Sequence, residues 1–112
     1  MLKTISFEDF NKVDIRIGTI VSAANFTKAK KPAYQLIIDF GTLGIKKSSA
    51  QITKLYSTDD LLHKQVLAVV NFLPKQIANF MSECLILGVI NKSGKVVLLE
   101  SNKKIKNGSQ VN

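Results

Sequence analysis

The chain has 112 residues, 46% of them hydrophobic, and carries 16 Lys and Arg against 8 acidic residues, a formal net charge of +8. This length predicts one domain, 1–112, which buries roughly two thirds of its unfolded surface, and the positive charge favours an anionic partner. The longest run without a charged residue, 17–27, covers about half of a membrane span, so we expect no membrane insertion.

The sequence contains few residues suited to catalysis or metal binding. His63 and Cys84 are the only histidine and cysteine, and they show no metal-ligand spacing. No Walker loop, dinucleotide-binding glycine fingerprint or nucleophile elbow is present. Glu8 and Asp9 stand where a signal peptide needs an apolar core, and a single cysteine is typical of a reducing compartment. We therefore expect no catalytic residue, no metal, no cofactor and a cytoplasmic location.

Isoleucine and valine together number 21 against 7 alanines, which predicts a mainly β protein. The alternating pattern of 13–20 predicts a first strand that bends at a bulge near Gly18 and Thr19. Further strands are predicted at 34–40, 45–50, 66–70 and 84–90. Capping signals at Ser6 and Ser57 predict two short helices, one over about 7–12 and one that ends near Lys64.

Two segments complete the predicted elements. Residues 75–81 are predicted to form a loop or a single helical turn. A turn at 91–94 then leads into a short apolar stretch, Val96–Leu99. The resulting order, three strands, a helix and two strands, is typical of the OB-fold, a five-stranded Greek-key barrel.

Two extensions, 1–12 and 92–112, flank a predicted barrel core of about 13–90. Both extensions are rich in Ile, Val, Leu and Phe, and one barrel offers too little surface to bury them. We therefore predict a homodimer in which the C-terminal extension is used for dimerisation. The predicted interface residues are Ile5, Phe7, Phe10, Val96, Leu98 and Ile105.

Several motifs resemble a known family. Val13–Gly18, Val69–Lys75 and Met81–Glu83 resemble the tRNA-binding domain found at the end of bacterial methionyl-tRNA synthetases and in small free-standing tRNA-binding proteins. A second set is similar to the CsaA branch of that family, whose members are homodimers described as export-related chaperones. This set is Lys31–Tyr34, Ile38–Gly41 and Lys46–Ile52. Cys84 and Leu85 stand where the family often has Gly and Met. The resemblance, from Phe7 to about Asn107, implies the fold, a dimer and a ligand class.

Lysine clusters are either a solvated surface or part of an RNA-binding face. In an OB-fold, the loop between strands one and two and the third strand border the usual oligonucleotide face. We therefore predict phosphate contacts from Lys28, Lys30, Lys31, Lys46, Lys47, Lys54 and Lys75. Ser82 either caps a turn or, as the resemblance implies, contacts the ligand.

Aromatic and polar residues near these lysines leave alternatives open. Tyr34 either packs at the barrel rim or stacks on a base, and Phe26 and Phe72 are similar cases. Arg16 is the only arginine, and we interpret it as a surface ion pair or ribose contact rather than a base reader. Asn71 is expected to be hydrogen-bonded and to hold the loop before Pro74.

Two functions follow from these patterns. The first is a non-enzymatic homodimer that binds tRNA or other structured RNA through the lysine-rich face, with an implied role as an export-related chaperone. The alternative is a chaperone for unfolded or pre-secretory polypeptides that works with the export machinery, with RNA binding only vestigial.

Overall fold

Strands form most of the computed structural model, which describes all 112 residues. The elements in chain order are α1 (Phe7–Phe10), β1 (Ile15–Asn25), β2 (Tyr34–Asp39), β3 (Ile45–Ala50), α2 (Thr58–Leu61), β4 (Gln65–Val69), β5 (Lys75–Ile77), β6 (Phe80–Ser82), β7 (Leu85–Ile86), β8 (Gly88–Ile90) and β9 (Val96–Leu98). Five strands make one antiparallel sheet in the order β3-β2-β1-β4-β7, while β5-β6 and β8-β9 form separate hairpins. The sheet curves into a nearly closed barrel, which confirms the predicted mainly β fold.

The first strand is long and bent, as predicted, but its bulge lies further along than predicted. Ile20 pairs with Ile38 and Ser22 with Ile37, so Val21 is the extra residue. Gly18 has a different role, because a β-carbon added there would lie 2.6 Å from the side chains of both Ile38 and Phe40. Glycine at this position therefore allows β1 to pack closely against the core.

The barrel interior is one apolar cluster, to which strands β1, β2, β4 and β9, helix α2 and the adjoining loops contribute. Its buried members are Ile20, Tyr34, Leu36, Ile38, Phe40, Ile52, Leu61, Val66, Ala68, Cys84 and Leu98. Leu98 is only 6% exposed, and Val96 packs against the same cluster. The prediction that Leu98 contacts a second chain is therefore wrong, because its side chain is already buried in its own barrel.

The predicted fifth strand, 84–90, is divided between two sheets. β7 pairs with β4, whereas β8 pairs with β9. Leu87 lies between them, and its backbone bridges the two regions: its N–H donates to Leu67 O (2.9 Å), and its carbonyl accepts from Leu99 N (3.1 Å). The apolar pattern of 84–90 is continuous, so it carries no signal for this change of partner.

Residues 75–81 are a β-hairpin and not the predicted loop or helical turn. β5 and β6 pair antiparallel, with Lys75 opposite Ser82 and Ile77 opposite Phe80. Ala78 occupies the turn with a positive φ of 52°. This conformation favours Gly, Asn or Asp, so an alanine gives no sequence signal for a tight turn.

Both helices begin where their capping signals predict and end earlier. Ser6 Oγ accepts a hydrogen bond from Asp9 N (3.0 Å) at the start of α1. At α2, the backbone N–H of Ser57 donates to Asp60 Oδ2 (2.9 Å), which lowers the pKa of the Asp60 carboxyl. His63 has a positive φ of 71°, so α2 cannot continue to Lys64. Neither helix has the length and apolar composition needed to cross a bilayer.

Part of the C-terminal extension folds back onto the barrel. Beside the first half of β1, on the edge not paired with β4, Gly108 N donates to Ile17 O (2.7 Å) and Val111 N donates to Ile15 O (2.9 Å). Arg16 adds a bond from Nη1 to Gly108 O (3.0 Å). Residues 108–111 thus extend the sheet beside β1.

Candidate nucleic-acid interface

Four lysines from two separate segments surround one cavity of about 590 Å³, which we call the lysine cleft. Lys28, Lys30 and Lys31 lie in the β1–β2 loop, and Lys75 begins the β5–β6 hairpin. All four side chains are exposed, and the cavity lining contains no acidic residue. The structure therefore brings together four of the seven lysines predicted to bind RNA.

A small aromatic cluster holds the two sides of the lysine cleft together. Phe26 and Phe80 are buried, with ring centroids 5.4 Å apart and planes tilted by 59°. Ala33 completes the cluster, and its carbonyl accepts from Phe26 N at 3.0 Å. For Phe26, the packing alternative is thus correct. The β1–β2 loop is anchored at both of its ends, which fixes its lysines relative to Lys75.

The other three predicted lysines do not line the cleft. Lys46 and Lys47 are neighbours on β3, so their side chains point to opposite faces of the strand. Lys47 lies close to the cleft, because its Nζ is 5.2 Å from the ring centre of Phe80. Lys54 follows β3 and is exposed.

An apolar cavity of about 440 Å³ adjoins the lysine cleft, and Ser49, Lys75 and Ile77 line both. Phe72 and Leu73 contribute to this cavity and are 57% and 91% exposed. The Phe72 ring is therefore accessible beside a lysine, as base stacking requires. Stacking on Tyr34 is ruled out, because that ring is 7% exposed and its hydroxyl donates to Tyr56 O (2.7 Å).

The segment 82–84 closes the barrel between β3 and β7. Ser82 Oγ accepts from Ser49 N (3.0 Å), and Glu83 Oε1 accepts from Lys47 N (2.9 Å). Glu83 N also donates to Lys47 O (2.8 Å). Ser82 lines the apolar cavity, but one of its acceptor positions is used by the backbone of β3. Its first role is to position the strand.

Cys84 completes this closure from inside the barrel. Its carbonyl accepts from the buried Ser48 Oγ (3.1 Å), and its thiol lies 3.8 Å from Lys47 O. Burial raises the pKa of the Cys84 thiol to about 11. The thiol is therefore protonated at neutral pH, and Cys84 is the small core residue that the sequence predicts. No group of three or more His, Cys, Asp or Glu side chains is arranged to hold a metal ion.

Arg16 and Asn71 both have structural partners. Arg16 Nε donates to Asp14 Oδ1 (2.6 Å), so the structure forms the ion-pair alternative that the sequence left open beside a ribose contact. Asn71 Oδ1 accepts from Asp14 N (3.0 Å), and its Nδ2 donates to Lys12 O (2.7 Å). Asn71 is exposed and holds the segment before β1, whereas its position in the sequence predicted a role in the loop before Pro74.

Two glutamines of the lysine cleft were not predicted. Gln51 follows β3, and Gln76 follows Lys75; both line the cavity. The position of Gln76 becomes evident only once 75–82 is known to be a hairpin. Gln51 continues the alternation of β3 outward from Ser49, which is a signal that the sequence did contain.

Comparison with known proteins defines the family. A family model described as "Putative tRNA binding domain" matches residues 15–110, so the chain belongs to this family. It is 35% identical over 109 residues to a methionine–tRNA ligase of Parabacteroides distasonis and 34% identical over 107 residues to that of Bacteroides fragilis. These alignments cover 97% and 96% of this chain but only 16% of each relative.

Two solved structures correspond to the chain over nearly its whole length. The chaperone CsaA of Bacillus anthracis is 50% identical with a TM-score of 0.93, and the alignment covers 98% of this chain and 100% of that one. The CsaA chaperone of Picrophilus torridus is 49% identical with a TM-score of 0.91, over 97% and 100% of the two chains. The resemblance to the CsaA branch is thereby confirmed.

Proposed function

We propose that the chain is a non-catalytic, cytoplasmic protein that binds tRNA or another structured RNA through the lysine cleft. The observation that carries this proposal is the set of four exposed lysines around a cavity without any acidic lining residue. Membership of a tRNA-binding domain family supports the same ligand class. The ammonium groups would contact phosphates, which fix the position of a nucleic acid without reading its sequence.

The surroundings of the cleft suit a folded RNA with an unpaired base. Phe72 offers an accessible ring beside Lys75, and such a ring stacks on any base. Arg16 is held by Asp14 and Gly108, so no free arginine fork is present to read guanine. Recognition in this proposal depends on shape and phosphate positions.

We also propose that the protein is a homodimer. The outer face of the β8–β9 hairpin carries Val89, Val97 and Leu99, which are 55%, 41% and 38% exposed. Val89 lies directly opposite Val97 in the antiparallel pair, so their side chains share one face. We call these three residues the hairpin face. Contiguous apolar surface of this kind is typical of protein interfaces.

The N-terminal segment supplies more apolar surface for such a dimer. Ile5 and Phe7 are 63% and 87% exposed, Ile105 is 46% exposed, and Phe10 is half-buried. Val96 is half-buried against its own core. Leu98 is buried, so its exposed neighbours Val97 and Leu99 take its place in the proposed interface.

A second candidate function is a chaperone for unfolded or pre-secretory polypeptides that acts with the export machinery. The similarity to two CsaA chaperones supports this alternative. The apolar cavity supports it physically, because Leu73 and Leu85 are 91% and 49% exposed and line a groove beside Lys75. An extended peptide would match this surface if its apolar side chains contacted the leucines and an acidic side chain paired with Lys75.

A binding assay with fluorescently labelled tRNA tests the first function. Changing Lys28→Ala together with Lys75→Ala should reduce affinity at least tenfold, because the two lysines lie on opposite sides of the cleft. Lys92→Ala with Lys95→Ala is the matched control, since it removes the same charge from the turn between β8 and β9. Equal affinities for the two double variants would contradict the proposal.

Competition distinguishes the two candidate functions. A reduced and carboxymethylated model protein, which stays unfolded, is added to the tRNA complex at low salt. If the chain is an RNA-binding protein, tRNA remains bound and no polypeptide is retained. If polypeptide is retained whereas tRNA does not bind at any protein concentration, the chaperone function is the correct one.

A further inference from the structure

A second polar cavity, of about 610 Å³, lies away from the lysine cleft. Nine residues line it, none of them hydrophobic and none shared with the cleft. The two sites lie near opposite ends of β2: Ala33 of the cleft precedes its first residue, whereas Thr19 of the second cavity pairs with its last residue, Asp39. At about 3.3 Å per residue, Ala33 and Asp39 are separated by roughly 20 Å along the strand.

The charges of this cavity favour an anion. Lys64, Lys103 and Lys104 line it together with a single carboxylate, that of Glu100. Glu100 Oε1 is paired with Lys64 Nζ at 3.4 Å. The two remaining lysines have no acidic group within ion-pair distance, so they are free to contact a ligand.

A buried hydroxyl adds a second, independent signal. Ser101 Oγ is buried and has no hydrogen-bond partner, although Ser101 lines the cavity. Buried hydroxyls are normally paired, because desolvation without a partner is unfavourable. A hydroxyl is a donor suited to a phosphate oxygen, and Lys103 and Lys104 line the same cavity.

The loop that carries these groups is held to the barrel. Gln65 Oε1 accepts from Ile105 N (3.0 Å), and Gln65 Nε2 donates to Asn107 Oδ1 (3.0 Å). Thr19 Oγ1 donates to the same Asn107 oxygen at 2.8 Å. Lys103 and Lys104 thus belong to a segment whose far end is fixed on β1 and β4, which limits the ordering cost of binding.

We propose that this cavity binds a phosphate group through Lys103, Lys104 and Ser101. The group belongs either to a phosphodiester of a nucleic-acid backbone or to a phosphate monoester, since both present the same oxyanion. The proposal does not rest on the proposed function, because the two sites have no lining residue in common.

Amide NMR of the full-length chain, titrated with inorganic phosphate at constant ionic strength, tests the proposal. We expect saturable shifts for residues 63–65 and 100–104. Lys103→Ala with Lys104→Ala should weaken binding at least tenfold, and Ser101→Ala should weaken it several-fold. Lys92→Ala with Lys95→Ala, and Lys28→Ala with Lys75→Ala, should leave it unchanged. Identical shifts with chloride, or equal binding by all variants, would overturn the proposal.

Two further ligands distinguish the sources of the phosphate. A dinucleotide with a single internal phosphodiester represents the backbone, and a nucleoside monophosphate represents a monoester. Saturable shifts at 100–104 with the dinucleotide identify a nucleic-acid backbone site. Shifts with the monophosphate alone identify a site for a free or terminal phosphate. If neither ligand nor inorganic phosphate gives saturable shifts, the cavity is not a phosphate site.

Discussion

The lysine cleft and the hairpin face are built on one barrel, and they present opposite kinds of surface. The cleft gathers like charges on a loop and a hairpin that are joined by the Phe26–Phe80 pair. The hairpin face presents aliphatic side chains on two regular strands. Binding an anion reduces the repulsion among the lysines of the cleft. An exposed apolar face is instead stabilised when another apolar surface covers it. The difference assigns the proposed RNA-binding surface and the proposed dimer interface to separate parts of one small domain.

The largest test of this comparison uses two adjacent residues of β9. Leu98→Asp places a carboxylate in the core and should lower the free energy of unfolding by about 4 kcal/mol or more, a large part of the stability of a typical domain. Val97→Asp changes the hairpin face and should leave a folded protein. Light scattering should give twice 12.4 kDa for the wild type and 12.4 kDa for Val97→Asp. Urea unfolding separates the two effects; a folded Val97→Asp dimer would show that the hairpin face is not the interface.

Salt should affect the two surfaces differently. If about five phosphates are neutralised, the log-log slope of tRNA affinity against salt is about 3 to 4 in magnitude. Removing Lys28 and Lys75 should lower this slope by about 2, since each phosphate contact contributes about 1. The dimer mass should not change over the same salt range, because its interface is apolar. A slope near zero, measured by anisotropy titrations, would mean that the cleft lysines do not contact phosphate.

The junction between the two surfaces should be sensitive to alkaline pH. Cys84 lies where β3, beside the cleft, meets the strand that leads to the hairpin. Its thiol pKa rises from 9.0 to about 11 on folding, so the unfolded state releases the proton first. The thiol therefore leaves stability unchanged below pH 9 and lowers it between pH 9 and 11, by about 3 kcal/mol in total.

The control for this pH dependence is Cys84→Ala, which removes the thiol and leaves the other side chains in place. Urea unfolding at a series of pH values should show a shallower decline for the variant. Parallel pH profiles for the two proteins would assign the whole decline to groups other than Cys84.

Local signals predicted most of the barrel correctly. Alternation marked β1 and β2, and the Ser57–Asp60 capping box marked the start of α2. The predictions failed where partners are distant in sequence. Leu98 and Val97 are equally apolar, and only the pairing of β8 with β9 decides which one is buried. The bulge at Val21 follows likewise from the register with β2 and not from a glycine.

The candidate site was predictable in part. The three lysines of the β1–β2 loop form a visible run, so their cluster could be assigned from the sequence. The contribution of Lys75 depends on the β5–β6 hairpin, whose turn begins with Ala78 at a positive φ, a conformation that an alanine does not signal. The choice between packing and stacking for Tyr34 depended on a hydrogen bond to the Tyr56 carbonyl, a contact that periodicity does not predict.

The pairing of residues 108–111 with the start of β1 has a consequence for folding kinetics. Arg16 and Gln110 are bridge partners although almost the whole chain separates them. Closing so long a loop is slow compared with forming local hairpins, and these residues are synthesised after every barrel strand. The edge of β1 therefore stays unpaired during synthesis until this segment arrives. Docking of 108–111 is then a late step of folding. Before it occurs, the open edge is a temporary site at which another unfolded chain can associate wrongly.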